Sequence, residues 1–169
     1  MKYITKLIFF SISCLIFSNL LSKDIKTEKF TTDDIYKIKN IHSVDLSDSA
    51  NQITYIETFA DKKNDDYRST LWLHDIKKNK SRKLIKKIKS ISYPQFSPDE
   101  KYIAYISTGK REFKNYSQLW VINLKTARKR ELTKIKNNVT DFQWSPDGKK
   151  IAIVVNHKKE DTEDTRPPI

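Results

Sequence analysis

The chain has 169 residues, of which 37% are hydrophobic and 11% aromatic, so it can fold a modest core and is not a disordered or low-complexity protein. Its formal net charge is +12, yet the lysines fall mostly between predicted strands, which predicts a solvated surface and no nucleic-acid groove. The one cysteine, Cys14, lies in an N-terminal apolar run, so disulfide, thiol and cysteine–metal chemistry are excluded outside that run.

Residues 1–22 have the order of a secretory signal. Two lysines in residues 1–6 precede an apolar run at residues 7–17, and short polar residues follow it. The run is shorter than the roughly 20 residues of a membrane span. Three interpretations stay open: a signal cleaved after Ser22, an uncleaved anchor as the only membrane contact, and a lipoprotein signal at Cys14. Each predicts export to the periplasm or the extracellular space.

A leader at residues 23–40 contains a predicted short helix at residues 31–39. Residues that cap a helix or favour its positive end open this segment, namely Thr31, Thr32, Asp33 and Asp34. Ile35 and Ile38 are spaced to face one side. We expect this side to pack on the domain that follows.

From residue 41 the sequence repeats itself with a strand-like pattern. The copies begin with IHSVDLSDSANQITYIET at 41–58, ISYPQFSPDEKYIAYIST at 91–108 and VTDFQWSPDGKKIAIVV at 139–155. They align Ser47, Ser97 and Ser145 at offsets of 50 and 48 residues. Two further landmarks keep the 48-residue offset: LWLHDI at 71–76 matches LWVINL at 119–124, and RKLIK at 82–86 matches RELTK at 130–134.

A period near 50 residues is typical of β-propeller blades. The sequence therefore predicts an all-β fold, a partial β-propeller of about three four-stranded antiparallel blades, preceded by the signal peptide and the short helix. The predicted blades are residues 41–90, residues 91–138 and the start of a third at residues 139–169. In the second blade, β-branched and aromatic residues predict strands at 92–97, 102–107, 118–124 and 129–133.

The segment between the first two strands of a blade has turn chemistry. Residues 145–148, Ser-Pro-Asp-Gly, suit a type I turn with proline at its second position. In the second copy Glu100 replaces the glycine, so we expect that turn to be strained or different. The first copy, at residues 47–50, lacks both the proline and the glycine and indicates a degenerate first blade.

The segments FSPDEKYIAYIS and WSPDGKKIAIVV resemble the WD40-like propeller repeats shared by TolB and by prolyl oligopeptidase-family serine peptidases. The leader TTDDIYKIKNIHSVDLS, the strand DDYRSTLWLHDI and the ending EDTEDTRPPI resemble the acylaminoacyl-peptidase and dipeptidyl-peptidase-like branch of that family. The resemblance covers residues 24–169.

This resemblance implies a larger parent protein. Members of the family have a complete propeller followed by an α/β-hydrolase domain with a Ser-Asp-His triad, and the propeller admits mainly peptides and small substrates to the serine. By this resemblance the chain is a truncated, non-catalytic N-terminal propeller part of an exported serine peptidase.

No catalytic, cofactor-binding or metal-binding residue is predicted. A nucleophile elbow needs G-x-S-x-G, and the sequence has only Gly109 and Gly148. Ser97 and Ser145 are predicted turn residues beside prolines. The histidines have neither metal nor triad spacing: His42, His74 and His157.

Other chemistry-bearing residues have structural interpretations. The acidic tail residues lack a spaced cation-binding loop and are interpreted as solvated: Glu160, Asp161, Glu163 and Asp164. The tryptophans lie within strand patterns and are expected to pack between blades: Trp72, Trp120 and Trp144. The densest basic run is Lys83 to Lys89. Asn115 and Asn138 begin N-x-[ST] sequons, which matter only if the source glycosylates exported proteins.

Three functions stay open on this basis. The first is the peptidase part, whose partner would be a separately encoded remainder of the propeller and hydrolase. The second is a stand-alone extracytoplasmic binding module similar to TolB. The third is a short propeller completed by self-association through open blade faces. We expect no nucleic acid and no cofactor in any of them.

Overall fold

The computed structural model describes residues 29–156. The predicted export signal, Cys14, His157 and the acidic tail lie outside these residues. Internal contacts divide the chain into Met1–Thr32 and Asp33–Ile169, and the fold described below belongs to the second unit.

The described residues form ten strands in three antiparallel sheets. The first sheet, blade 1, contains β1 (Lys39–Leu46), β2 (Gln52–Asp61), β3 (Asp66–Asp75) and β4 (Lys80–Ile88). Blade 2 contains β5 (Ile91–Phe96), β6 (Tyr102–Thr108), β7 (Ser117–Asn123) and β8 (Lys129–Glu131). Blade 3 is described for β9 (Asn138–Trp144) and β10 (Ile151–Asn156).

Each sheet is a meander in which strands adjacent in sequence are paired. The spatial order is β1-β2-β3-β4 in blade 1, β5-β6-β7-β8 in blade 2 and β9-β10 in blade 3. This arrangement confirms the predicted all-β partial propeller. The strands predicted for the second blade differ from β5 to β8 by at most two residues, and the largest difference is the earlier end of β8 at Glu131.

The predicted leader helix is a 3₁₀ helix at Thr32–Lys37, and the expectation that its apolar side packs on the domain was wrong. Ile35 and Ile38 are 45% and 55% exposed. Polar contacts hold the helix instead: Lys62, between β2 and β3, donates to Asp33 at 2.7 Å and lies 5.3 Å from the Tyr36 ring centroid.

The turn after the first strand has the same geometry in all three blades. Its serine, Ser47, Ser97 or Ser145, donates its backbone N–H across the hairpin over 2.9 Å. The third residue beyond it has positive φ in every copy: 53° at Ala50, 54° at Glu100 and 67° at Gly148. The expected strain at Glu100 is therefore confirmed, and the first copy keeps the turn without its usual residues.

Two hydrophobic clusters fill the spaces between neighbouring blades. Successive residues of a strand point to opposite faces of the sheet, so β6 contributes side chains to both clusters. Ile103 and Tyr105 belong to the cluster shared with blade 1, and Ala104 and Ile106 belong to the one shared with blade 3. The core therefore lies between sheets, as blade stacking requires.

Among residues 29–156, no helix has the length and apolar character needed to cross a membrane.

Candidate functional site: a cleft at the ends of the first strands

The first strands of the three blades end around a cleft of about 440 Å³. Its lining contains the same positions from each repeat, with Asp45, Gln95 and Gln143 in one layer and Leu46, Phe96 and Trp144 in the next. Turn residues complete the wall: Asp48, Pro98, Ser145 and Pro146. We call this the first-strand cleft.

The polar layer connects each blade to the next. The Asp45 carboxylate of blade 1 accepts a hydrogen bond from the backbone N–H of Phe96 in blade 2, at 2.8 Å. The Gln95 amide of blade 2 donates to the carbonyl of Phe142 in blade 3, at 3.5 Å. Gln143 is the third member of the layer and is exposed. The layer therefore acts mainly as an inter-blade connector.

The first-strand cleft is acidic although the whole chain is strongly basic. Asp45 and Asp48 line it, and neither lysine nor arginine is among its lining residues. Burial raises the pKa of the Asp45 carboxyl, and the charge of Asp48 raises it further, against the hydrogen bonds from Phe96 and Leu46. This environment suits binding of polar or cationic groups, and the hydroxyl of its one serine, Ser145, forms hydrogen bonds within the turn.

The repeat serines have a structural role in the turns. The Ser97 hydroxyl donates to the Asp99 carboxylate at 2.7 Å and accepts from the Tyr102 N–H at 3.0 Å. Ser145 makes the same pair of contacts with Asp147 and Lys150, at 2.6 and 2.9 Å. The hydrogen bonds that the two serine hydroxyls donate lower the pKa of both aspartates, since they favour the charged carboxylate.

The two described histidines bond to hydroxyl groups. The His42 ring lies 3.0 Å from the Ser43 hydroxyl on one side and 3.0 Å from the Thr58 hydroxyl on the other. His74 Nδ1 lies 2.9 Å from the Ser81 hydroxyl. No carboxylate is in either set of hydrogen bonds, so neither histidine belongs to a Ser-His-Asp arrangement.

The tryptophans occupy different environments. Trp120 is 6% exposed and belongs to the cluster between blades 1 and 2, which confirms core packing for this residue. Trp144 packs against the second cluster and also lines the first-strand cleft. Trp72 is half-buried, outside both clusters, and stacks on Tyr55 at a centroid distance of 6.2 Å. The same stack recurs in blade 2 between Tyr105 and Trp120, at 6.4 Å.

The basic run at Lys83 to Lys89 is held by local contacts. The Lys83 ammonium lies 4.8 Å from the Trp72 ring centroid, and that of Lys87 lies 6.0 Å from the Phe59 centroid. Lys89 forms an ion pair with Asp66 at 2.8 Å. Within the described range, no group of three or more His, Cys, Asp or Glu residues could hold a metal ion.

Asp45, Gln95 and Gln143 belong to no recognisable sequence motif. Only the repeat offsets of 50 and 48 residues place them at one position of successive blades. That signal is present in the sequence, but it says nothing about which end of the sheets these residues share.

Known structures share this arrangement of blades. The chain is similar to the acylaminoacyl peptidase of Pyrococcus horikoshii, with a TM-score of 0.64, 22% identity, and coverage of 80% of this chain and 20% of that one. It is similar to the β-propeller domain of the trilobed protease of Pyrococcus furiosus, with a TM-score of 0.57, 26% identity, and coverage of 70% and 34%. The chain has the propeller fold of these peptidases.

A putative TolB from Agrobacterium tumefaciens also matches, with a TM-score of 0.53, 18% identity, and coverage of 70% of this chain and 39% of that one. No family model matches the chain, and no curated protein matches it. The chain spans between 20% and 39% of the length of these three structures. The shared feature is the propeller, in agreement with the resemblance carried by the repeats.

Proposed function

We propose that this chain is the non-catalytic N-terminal propeller part of an exported prolyl oligopeptidase-like serine peptidase. In this role it would restrict access to a hydrolase domain that hydrolyses peptides. The activity would belong to a hydrolase domain that carries the nucleophile elbow and the triad.

The observation that carries the proposal is the agreement between the blades and the peptidase propellers. Two four-stranded sheets and the start of a third place their first strands around one cleft, and the peptidase matches cover 70% and 80% of the chain. The hydroxyls of Ser97 and Ser145 form hydrogen bonds within their turns, which supports assigning catalysis to residues outside these blades.

A serine-directed fluorophosphonate probe tests the catalytic half of the proposal. We expect the purified chain to show no labelling above a heat-denatured control, because neither described histidine that bonds to a serine hydroxyl is oriented by a carboxylate as a Ser-His-Asp arrangement requires. Specific labelling of the native chain would contradict its assignment as non-catalytic.

Co-expression tests the partnership. The coding sequence after codon 169 is read in all frames for a product containing G-x-S-x-G, and this product is expressed with the chain. We expect the two to co-purify and to hydrolyse N-acetyl-alanine p-nitroanilide while leaving casein intact. Absence of such a coding sequence, or a product that does not bind the chain, would overturn the proposal.

Export is tested separately by fusing residues 1–22 to alkaline phosphatase that lacks its own signal. The n-region, apolar run and polar end of this segment support a working signal. We expect phosphatase activity outside the cytoplasm, and replacing two leucines of the apolar run with aspartate should abolish it. Activity confined to the cytoplasm for the unmodified fusion would contradict export.

A stand-alone binding module similar to TolB is the second candidate, and the Agrobacterium tumefaciens structure favours it. The acidic first-strand cleft would then be a binding site in its own right. A stable, monomeric chain recovered from the extracytoplasmic fraction, with no hydrolase partner, would favour this candidate over the first.

A further inference from the structure

A cavity of about 550 Å³ lies between blades 1 and 2, apart from the first-strand cleft. Ile85 and Ile88 of β4 line it on the side of blade 1, and Tyr105 of β6 and Trp120 of β7 line it on the side of blade 2. Both blades are complete four-stranded sheets, so paired strands bound the cavity on each side. We call it the inter-blade pocket.

Much of the wall of the inter-blade pocket is apolar. Tyr105 and Trp120 are 3% and 6% exposed and stack on each other, so their rings form one aromatic surface. The two isoleucines of β4 add an aliphatic surface from the other blade. In the same lining, the Ser107 hydroxyl donates to the Ser90 carbonyl at 2.7 Å. Such a cavity can hold the apolar part of a small molecule.

Three lysines line the pocket, and none of its lining residues is acidic: Lys89, Lys110 and Lys129. Lys89 forms its ion pair with Asp66. In the described part of the chain, the ammonium groups of Lys110 and Lys129 have no carboxylate within ion-pair distance. The Lys110 ammonium lies 4.9 Å from the Trp120 ring centroid, and this cation–π contact keeps it at the aromatic wall. Two positive charges are therefore available to a bound anion.

The backbone of Lys110 is also fixed in place. Its N–H donates to the Glu131 carboxylate at 3.0 Å, which joins the residues after β6 to the end of β8. The carboxylate of Glu131 therefore holds the backbone at this position while the Lys110 ammonium stays free of an ion pair.

Tyr105 provides an uncharged donor at the same pocket. Its side chain is buried, yet its hydroxyl has no hydrogen-bond partner among residues 29–156. Burial raises the pKa of this hydroxyl, so the group keeps its proton and can donate. A buried donor without an acceptor costs free energy, and an oxygen of a bound molecule would remove that cost.

We propose that the inter-blade pocket binds a small organic acid, whose apolar body lies against the aromatic and isoleucine walls and whose carboxylate faces Lys110, Lys129 and Tyr105. A carboxylate accepts charge-assisted hydrogen bonds from ammonium groups and a further bond from a hydroxyl, so it matches all three donors. Neither candidate function assigns a role to this pocket, and the proposal goes beyond both of them.

Two other classes of anion match the pocket less well. Inorganic phosphate would leave the apolar walls without a partner. A nucleic acid strand is bound through a row of cations along its backbone and through rings on which its bases stack, whereas the two rings here are buried in the cluster between the blades. An acid with an aromatic or aliphatic body uses both the charge and the apolar surface of the pocket.

Isothermal titration calorimetry of the full chain with three naphthalene probes tests the charge preference. The probes share one apolar body: naphthalene-2-carboxylate is an anion, 2-naphthylmethanol is neutral and 2-naphthylmethylamine is a cation. We expect the anion to bind with a Kd below about 1 mM and at least about tenfold more tightly than the cation. The titrations are made in about 0.15 M NaCl, which screens charges more than about 8 Å apart.

A second carboxylate probe distinguishes the source of the acid. N-acetyl-phenylalanine carries the carboxylate of a peptide C-terminus together with an aromatic side chain. Tighter binding of this probe than of naphthalene-2-carboxylate would support the proposal with a peptide end as the source. Tighter binding of naphthalene-2-carboxylate would support it with a free organic acid.

Variants identify the groups that bind the carboxylate. Replacing both free lysines, Lys110→Gln with Lys129→Gln, should weaken naphthalene-2-carboxylate binding at least about tenfold and leave 2-naphthylmethanol within about twofold. Lys125→Gln removes the same kind of charge from an exposed position outside the lining and should leave both within about twofold. Tyr105→Phe removes only the hydroxyl and should weaken binding of the anion at least about fivefold. Circular dichroism checks that each variant keeps its fold.

Three outcomes would overturn the proposal. The first is that neither carboxylate binds below about 1 mM, and the second is equal binding of the anionic and cationic naphthalene probes. The third is a loss in Lys125→Gln as large as that in the double lysine variant, since it would show general attraction to a basic chain. Unchanged binding by Tyr105→Phe would overturn the role of its hydroxyl. These results do not depend on the hydrolase search, because the pocket lies within blades 1 and 2.

Discussion

At the scale of single residues, the blade turn shows how one backbone geometry tolerates different side chains. Ala50, Glu100 and Gly148 all have left-handed backbone, although only glycine adopts it without a penalty of roughly 1–2 kcal/mol. Glu100 has a compensating contact, since its carboxylate accepts hydrogen bonds from the backbone N–H and the hydroxyl of Ser49 in blade 1. The methyl side chain of Ala50 cannot form such a hydrogen bond.

Replacing Ala50 with glycine should therefore stabilise the chain. We expect Ala50→Gly to raise the free energy of unfolding by about 0.5–1 kcal/mol, because strain is relieved and only part of the gain is lost to backbone entropy. Glu100→Gly is the matched control and should give no gain, because it removes the bridge to Ser49. Urea unfolding measures both, and a larger gain at position 100 would contradict this account.

Asp45 and Asp147 are expected to change the stability of the chain with pH in opposite directions, because the pKa of the first is raised and that of the second is lowered. The pKa of Asp45 is raised by burial, so its stabilising contribution is present below the unfolded value of 3.8 and is lost as pH rises through the folded pKa. Asp45→Asn should therefore be more stable than the unmodified chain at pH 7, and the difference should shrink toward pH 4. Urea unfolding at the two pH values measures it.

Asp147 provides the control of opposite sign. The Ser145 hydroxyl and the Lys149 N–H lower its pKa, so its contribution is present above 3.8 and is lost as pH falls through the folded value. Asp147→Asn should reduce stability at pH 7 and have little effect at low pH. The same sign for both variants would show that burial is not what controls Asp45.

At the scale of elements, a side chain replaces part of a strand at the outer edge of blade 2. β8 is only three residues long, and beyond it the chain is held by Gln118 of β7, which is fully buried. The Gln118 amide donates to the Ile135 carbonyl at 2.8 Å and accepts from the Ile135 N–H at 3.1 Å. One amide side chain thus provides the donor and acceptor that a longer β8 would provide.

Gln118→Leu should consequently destabilise the chain by about 2–3 kcal/mol, because it leaves the Ile135 N–H and C=O without these partners. Thr70→Val is the matched control at the equivalent position of blade 1, where the threonine hydroxyl accepts only one long bond, 3.4 Å from the Lys87 N–H. Its expected cost is about 1 kcal/mol or less. Chemical denaturation distinguishes the two, and similar costs would contradict the special role of Gln118.

At the scale of the whole molecule, stability should decline from blade 2 toward blade 3. Blade 2 has a hydrophobic cluster on each face and β6 has five buried residues, whereas none of the residues of β10 is buried and Val154 is 56% exposed. Strands with few buried side chains open locally at a lower free-energy cost than strands of a packed core.

Hydrogen exchange should reveal this gradient. We expect amides of β9 and β10 to exchange faster than those of β6 and β7, through local opening that does not unfold blade 2. Uniform protection across the three blades, with one sharp cooperative melt from a monomer, would contradict the gradient.

The sequence by itself determined the repeat, the fold class and the strands of blade 2, because side chains that face a core must recur at the period of the repeating unit. It also located the turn, since proline, aspartate and glycine favour it through local backbone preferences. It was wrong about the apolar side of the leader helix, because a pattern of isoleucines cannot show whether a partner surface exists.

Only the tertiary structure decided how the repeats meet. The first-strand cleft, the bonds from Asp45 and Gln95 to the next blade, and the Gln118 contacts join residues from different strands or blades, so no local preference encodes them.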